Sequence, residues 1–146
     1  MDERGRKARG DLRLIPVTSI RLTPIDKHDH EAANAAVAKG YPGVEPILPQ
    51  LLEWIQDMNW PVAETLAPFL ASIGSPLIPH IENVFATDDH MWKVWVIREL
   101  LMVSPELGEA FRETVSNIAL TPVNDEDDEA VRETAVECVD HYGWTN

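Results

Sequence analysis

Between Pro46 and Lys93 the chain repeats itself at an offset of thirty residues, and this constrains its fold more than anything else in it. Pro46-Ile47-Leu48-Pro49 lies over Pro76-Leu77-Ile78-Pro79, Leu51 over Ile81, Ile55 over Phe85, Asn59 over Asp89 and Val62 over Trp92. Repeats of this length mark units that cannot bury an apolar face alone and must stack on their neighbours. In each unit proline opens a first helix, where its missing N–H leaves no bond unmade. Apolar residues follow at helical spacing: Leu48, Leu51, Leu52 and Ile55, then Ile78, Ile81, Val84 and Phe85, all expected to be buried. The expected fold is all-α, a short solenoid of about seven helices.

The rest of the chain extends this pattern. Asp29 to Lys39 reads as an alanine-rich helix closed by Gly40. Asn59 is the expected N-cap of the next second helix, with Pro61 in its first turn, Pro68 kinking its middle and Gly74 at its end. Asp88 or Asp89 caps the following helix, which runs to about Val103 and is apolar on nearly every side, so it belongs in the middle of a stack. Ser104-Pro105 opens a third first helix carrying Leu107, Phe111, Val115 and Ile118. A loop over Leu120 to Asp127 leads to a last helix from Asp128 to about Tyr142. Asn59, Asp89 and Asp128 align as helix starts, which assigns the extra length of the third copy to its loop. Residues 1–25, interrupted by Pro16 and Pro24, read as a flexible or extended arm with a short extended segment around Ile20 to Leu22. Residues 26–146 read as a single helical repeat domain.

A chain of 146 residues that is 45% hydrophobic and 25% charged has the composition of one globular domain. The longest uncharged stretch, Thr65 to Ile81, is broken by three prolines and is no membrane span. No secretory signal is visible, and Cys138 is the only cysteine, which excludes an intrachain disulfide and suits a cytoplasmic setting. The formal net charge is −13, with residues 1–21 at +3 (six Lys/Arg, three acids) and the remainder at −16 (six against twenty-two). Such a body disfavours nucleic acid, whose phosphates need cations. It suits a basic protein partner, or it serves solubility alone.

Asp128, Val131, Arg132 and Ala135 resemble the second helix of a HEAT repeat, although Ala63 and Lys93 stand at the arginine position of the earlier copies. A wider resemblance covers roughly Leu22 to Tyr142. It is carried by LTPIDKHD at 22–29, PILPQLLEWIQDMNWPVA at 46–63 and DHMWKVW at 89–95. These segments resemble an uncharacterised bacterial family known as domain of unknown function 5071. The resemblance implies a HEAT-like α-solenoid and transfers no activity or catalytic residue.

Candidate chemistry is sparse. His28-Asp29-His30-Glu31 gathers four potential ligands, but neighbours at i and i+2 diverge on a helix, so no metal or other cofactor is expected. Asp125 to Glu129 is the densest acidic run and lacks the glycine and terminal glutamate of a calcium loop. It reads as a helix start favoured by the dipole, open to a basic partner. Trp54, Trp92 and Trp95 are expected in the core, Trp144 folded back as a cap, and Cys138 as a small buried hydrophobe. The candidate partner-binding residues are Asp26, Lys27, His28 and Asp29, then Asp57 and Trp60 at an inter-helix turn, then Asp88, Asp89 and His90. No Gly-rich phosphate loop or nucleophile–base pair stands out.

The functional expectation is a non-enzymatic, acidic protein-binding module. A narrower form is an immunity protein that neutralises a bacterial toxin by covering its basic surface. Two other readings stay open. One is a small hydrolase-like or ligand-binding protein in which Asp26, His28, Asp29, Asp88, Asp89 and His90 converge in a pocket. The other is a regulatory scaffold with several weak partners.

Overall fold

The computed structural model describes residues 21–144, so most of the expected N-terminal arm, residues 1–20, lies outside the described residues. Within that range all regular structure is helical and no strand occurs. Eight α-helices follow in order: α1 His30–Lys39, α2 Leu48–Glu53, α3 Pro61–Ile73, α4 Ile78–Phe85, α5 His90–Val96, α6 Pro105–Ala110, α7 Arg112–Leu120 and α8 Glu126–Tyr142. Tighter or wider turns lengthen three of them. The 3-10 turns Glu45–Ile47 and Trp54–Gln56 flank α2, Ser75–Leu77 precedes α4, and a π-helical segment Ile97–Leu101 continues α5.

Helix starts follow side-chain chemistry, with two departures from expectation. Asp29, Asp89 and Ser104 cap α1, α5 and α6 by accepting from backbone N–H groups three residues on. Asn59 does not cap α3; Trp60 holds that position in extended geometry (φ −73°, ψ 127°) without a side-chain bond. The cause is Pro61, which pushes its predecessor out of the helical region. Asp57 instead orders the turn by accepting from the Asn59 N–H at 2.9 Å. The last helix starts at Glu126, because Asp125 and not Asp128 is the cap, accepting from the Asp128 N–H at 2.7 Å.

That shift changes where the third copy is longer. From Thr87 to the cap Asp89 is two residues, and from Thr121 to the cap Asp125 is four. The extra length therefore falls mainly before Thr121, in a first helix broken at Phe111 (φ −109°, ψ 14°) into α6 and α7. The helix through Pro68 continues without interruption, and Pro68 and Glu64 both face solvent, where water reaches the carbonyl that proline leaves unpaired. No described helix is long and apolar enough to cross a membrane.

The helices lie in two contacting rows. In one, α3 packs on α1, then on the π segment after α5, and α5 packs on α8. In the other, α2 meets α4, and the turn before α4 meets α6. Within hairpins, α3 adjoins the turn Trp54–Gln56, α4 adjoins α5, and α7 adjoins α8. One continuous core runs between the rows, from Ala33 and Leu51 through Leu66, Leu70 and Leu100 to Leu107 and Cys138. Ile81 and Val84 are buried as expected, whereas Ile78 and Phe85 are only half-buried and Leu77 takes the inner position beside them. Met91 in the first turn of α5 and Val103 in the turn after the π segment, on the helix expected to be enclosed, are exposed.

Three side chains tie one hairpin to the next. The Trp92 indole N–H donates to the Leu52 carbonyl at 3.1 Å, at the end of α2. Glu106 accepts from the Ser75 N–H at 3.1 Å, and a Cβ added at Gly74 would sit 2.0 Å from that carboxylate oxygen. Gly74 also has φ +78°, which non-glycine residues rarely adopt. The Tyr142 hydroxyl donates to the Leu101 carbonyl. A helix would normally fill that carbonyl from the N–H four residues on, which is Pro105 and has none. The Tyr142 ring lies so near Gly108 that an added Cβ would meet its atoms at 2.6–2.7 Å. Gly108→Ala is therefore expected to destabilise by about 1–3 kcal/mol through overpacking. Tyr142→Phe is expected to lose about 1–3 kcal/mol by orphaning a part-buried carbonyl. Urea unfolding monitored by circular dichroism measures both, and an unchanged midpoint in both variants would refute this account of the lock.

Candidate functional site

The first group of expected site residues forms the entry to α1. Arg21 ion-pairs with Asp29 and approaches Glu31 at 3.7 Å. The Asp29 side chain is only 7% exposed and also accepts from the Ile25 and Ala32 N–H groups at 3.0 and 3.3 Å. Its carboxylate is thus occupied by local structure. Asp26, Lys27 and His28 are exposed. The Lys27 carbonyl accepts from the Val62 N–H at 3.1 Å, which pins this loop to the start of α3. Beside it, Trp60 packs edge-on against Trp54, with ring centroids 5.4 Å apart at 72°.

The second group, at the start of α5, meets the start of α8. His90 places Nε2 2.9 Å from Asp128 and Nδ1 3.8 Å from Asp127. Two acidic segments far apart in sequence, Asp88-Asp89 and Asp125 to Glu129, are thereby joined into one surface. Asp88 is exposed, and Asp89 is half-buried at the cap. A groove of about 430 Å³ runs beside α8, lined by Asp125, Glu126, Glu129 and Glu133 with Val123, Asn124 and Ala130. Backbone donation from Asp128 holds the Asp125 carboxyl below its ordinary 3.8. Arg132, at 2.7 Å, holds Glu129 below its ordinary value. Both stay ionised at neutral pH.

Two further clefts open beside this surface. The larger, about 470 Å³, lies between α4, α5, α7 and α8; Phe85, Ile118 and Val131 form apolar walls, and Lys93, Asn117 and Asp128 are polar. The smaller, about 190 Å³, lies between α2, α4 and α5, with Leu52, Val84 and Trp92 against Glu53, His80 and Asn83. No hydrogen bond or ion pair among the described residues joins Asp26, His28 or Asp29 to Asp88, Asp89 or His90. Of the six residues expected to converge in a pocket, none lines either cleft. Among the described residues no group of three His, Cys, Asp or Glu is gathered as a metal ion requires.

Cys138 is fully buried, and desolvation pushes its thiol up to about 11. Trp144 stacks on Tyr142 at 4.7 Å and 17°, with the Arg112 guanidinium 5.6 Å from its ring, so it does fold back over the last helix. Sequence reasoning missed the His90 junction and the Arg98–Glu137 pair at 3.2 Å, since both depend on which helices are neighbours.

These features define an all-helical protein with a continuous core and an acidic, cleft-bearing face at the junction of α5 and α8. The chain belongs to the family described as Domain of unknown function (DUF5071), whose model matches residues 22–139. No curated protein matches this sequence.

Native protein is expected to resist thiol labelling at Cys138 and to label fully in denaturant, as read by intact mass; rapid native labelling would contradict its burial. Asp29 has its carboxyl lowered below 3.8, first by the Arg21 hydrogen bond. Its ionised form therefore stabilises the fold above the unfolded-state value, and this contribution is lost as pH falls through the folded-state value. Asp29→Asn should lower the melting temperature at pH 7 and converge with the parent towards pH 2. A constant difference across that range would exclude the ion pair as the cause.

Proposed function

We propose that this protein is a short HEAT-like solenoid acting as a non-enzymatic acidic module that binds a basic protein. The observation that carries the reading is the contact of His90 with Asp127 and Asp128, which fuses two acidic helix starts into one face. The order of contacts supports the solenoid, because α1 meets α3, α3 meets the segment after α5, α5 meets α8 and α2 meets α4. A net charge of −13 supports the choice of partner. Carboxylates on such a face steer a basic partner into encounter, and half-buried aromatics such as Trp60 supply residence time. The narrower form of the proposal is toxin immunity: the face covers the basic surface of a toxin in a one-to-one complex. The enzymatic alternative has less support, since its six residues share no cleft.

The test uses the tagged full-length protein with the basic partner it retains on co-purification. Reversing charge at Asp88 and Asp127 to lysine should slow association about tenfold and flatten its salt dependence, with dissociation little changed. Stopped-flow or surface-plasmon kinetics would read this. Equal association rates in parent and variant would remove the acidic face from the mechanism. A toxin proper would in addition lose its activity at one equivalent of this protein.

A further inference from the structure

The two clefts are built to one plan. The smaller is walled by His80, Asn83, Val84 and Thr87, the larger by Thr114, Asn117, Ile118 and Thr121. Both sets have the spacing i, i+3, i+4, i+7, which is one stripe of a helix. The wall opposite also matches. Trp92 lies three residues after the cap Asp89, and Asp128 lies three after the cap Asp125. Each threonine hydroxyl also bonds back to its own helix, three residues back in one case and four in the other. Thr87 Oγ1 donates to the Val84 carbonyl at 2.7 Å and Thr121 Oγ1 to the Asn117 carbonyl at 2.6 Å, each finishing its helix.

What remains unspent at the matched positions is an asparagine. Asn83 and Asn117 are exposed, and neither side-chain amide has a partner among the described residues. Asparagine is a poor helix former, so nothing in the helices themselves calls for it there. Its amide offers one acceptor and donors side by side, the complement of one peptide unit. Below each amide lies an apolar wall: Leu52, Val84 and Trp92 in one cleft, Phe85, Ile118 and Val131 in the other.

Charge and continuity identify the occupant. Val123 lines both the larger cleft and the acidic groove carrying Asp125, Glu126, Glu129 and Glu133, so those two depressions adjoin. Arg132 pairs with Glu129, which leaves Asp125, Glu126 and Glu133 with Lys93 as the cation lining the larger cleft, and Asp128 and Glu53 add to the negative side. Adjacent packed helices are spaced by about 8–10 Å. A polyproline-II chain advances about 9 Å in its three-residue turn and so returns the same side to the wall at each helix.

We infer that the two clefts are repeated subsites of one groove that takes an extended basic segment of the partner, with apolar side chains at every third residue entering the clefts and Asn83 and Asn117 pairing with its backbone. This inference rests on the reading above that the partner is a basic protein.

The probe is an acetylated, amidated nonapeptide of three lysine–leucine–proline triplets, titrated into the full chain by two-dimensional NMR. It should shift the side-chain amides of Asn83 and Asn117 and the indole N–H of Trp92. Replacing its leucines by serine should weaken binding at least tenfold. The double variant Asn83→Ala, Asn117→Ala changes only exposed helix positions, so it should fold as the parent does and bind the nonapeptide about tenfold more weakly. Shifts confined to Asp125 to Glu133, or equal affinity in parent and double variant, would overturn the groove. The co-purified partner separates the two claims. If the asparagine variant binds it unchanged while charge reversal at Asp88 and Asp127 weakens it, the groove fails and the acidic module stands. If the nonapeptide behaves as expected but charge reversal leaves the partner unaffected, the acidic-module reading fails instead.

Discussion

A helix that ends inside a stack leaves backbone carbonyls and N–H groups where water has little access, and each such group needs a partner. In this protein the partners come from the adjacent hairpin. Trp92 serves the end of α2, Glu106 the start of the turn Ser75–Leu77, and Tyr142 the Leu101 carbonyl that Pro105 cannot serve. Burial of leucine and alanine holds the rows together without choosing a register. These directional bonds choose it. The glycines at 74 and 108 are the counterpart of that choice, since each leaves room for the group that makes the bond.

With the register set, the charges fall into place. α5 and α8 begin side by side, so Asp88 and the cap Asp89, which precede α5, lie near the acidic first turn of α8, where the helix dipole favours negative charge. His90 lies between them and accommodates the crowding. Arg98 engages Glu137 farther along α8, and Arg132 engages Glu129 in its first turn. Glu126 and Asp127 stay exposed in that turn, and the proposed binding face is what remains after this local pairing.

Much of the helix plan was legible because prolines and glycines punctuate it and because Asp29, Asp89 and Ser104 have clear capping positions. Asn59 and Asp128 misled for different reasons. At Asn59 a favourable cap residue was overridden by Pro61 acting on Trp60. Within Asp125 to Glu129 five acids compete for one role, and composition alone does not rank them. Aligning starts at Asp128 also hid a short likeness, Asn83-Val84-Phe85-Ala86-Thr87 against Asn117-Ile118-Ala119-Leu120-Thr121, at an offset the thirty-residue repeat does not share. The candidate site was harder to read. The His90–Asp128 contact bridges thirty-eight positions with no local pattern to announce it, and Asp29, chosen for its charge, is engaged in holding α1.

The three ties between hairpins use different residues in different places: an indole, a carboxylate and a phenol. In arrays whose joints are all alike, modules can be duplicated, deleted or exchanged with little harm. Here a transplanted middle hairpin would carry Trp92 away from Leu52 and leave Glu106 facing a stranger. The chain is built of repeats in outline, yet its parts are not interchangeable, and the proposed binding face would evolve by changing side chains in place and not by shuffling units.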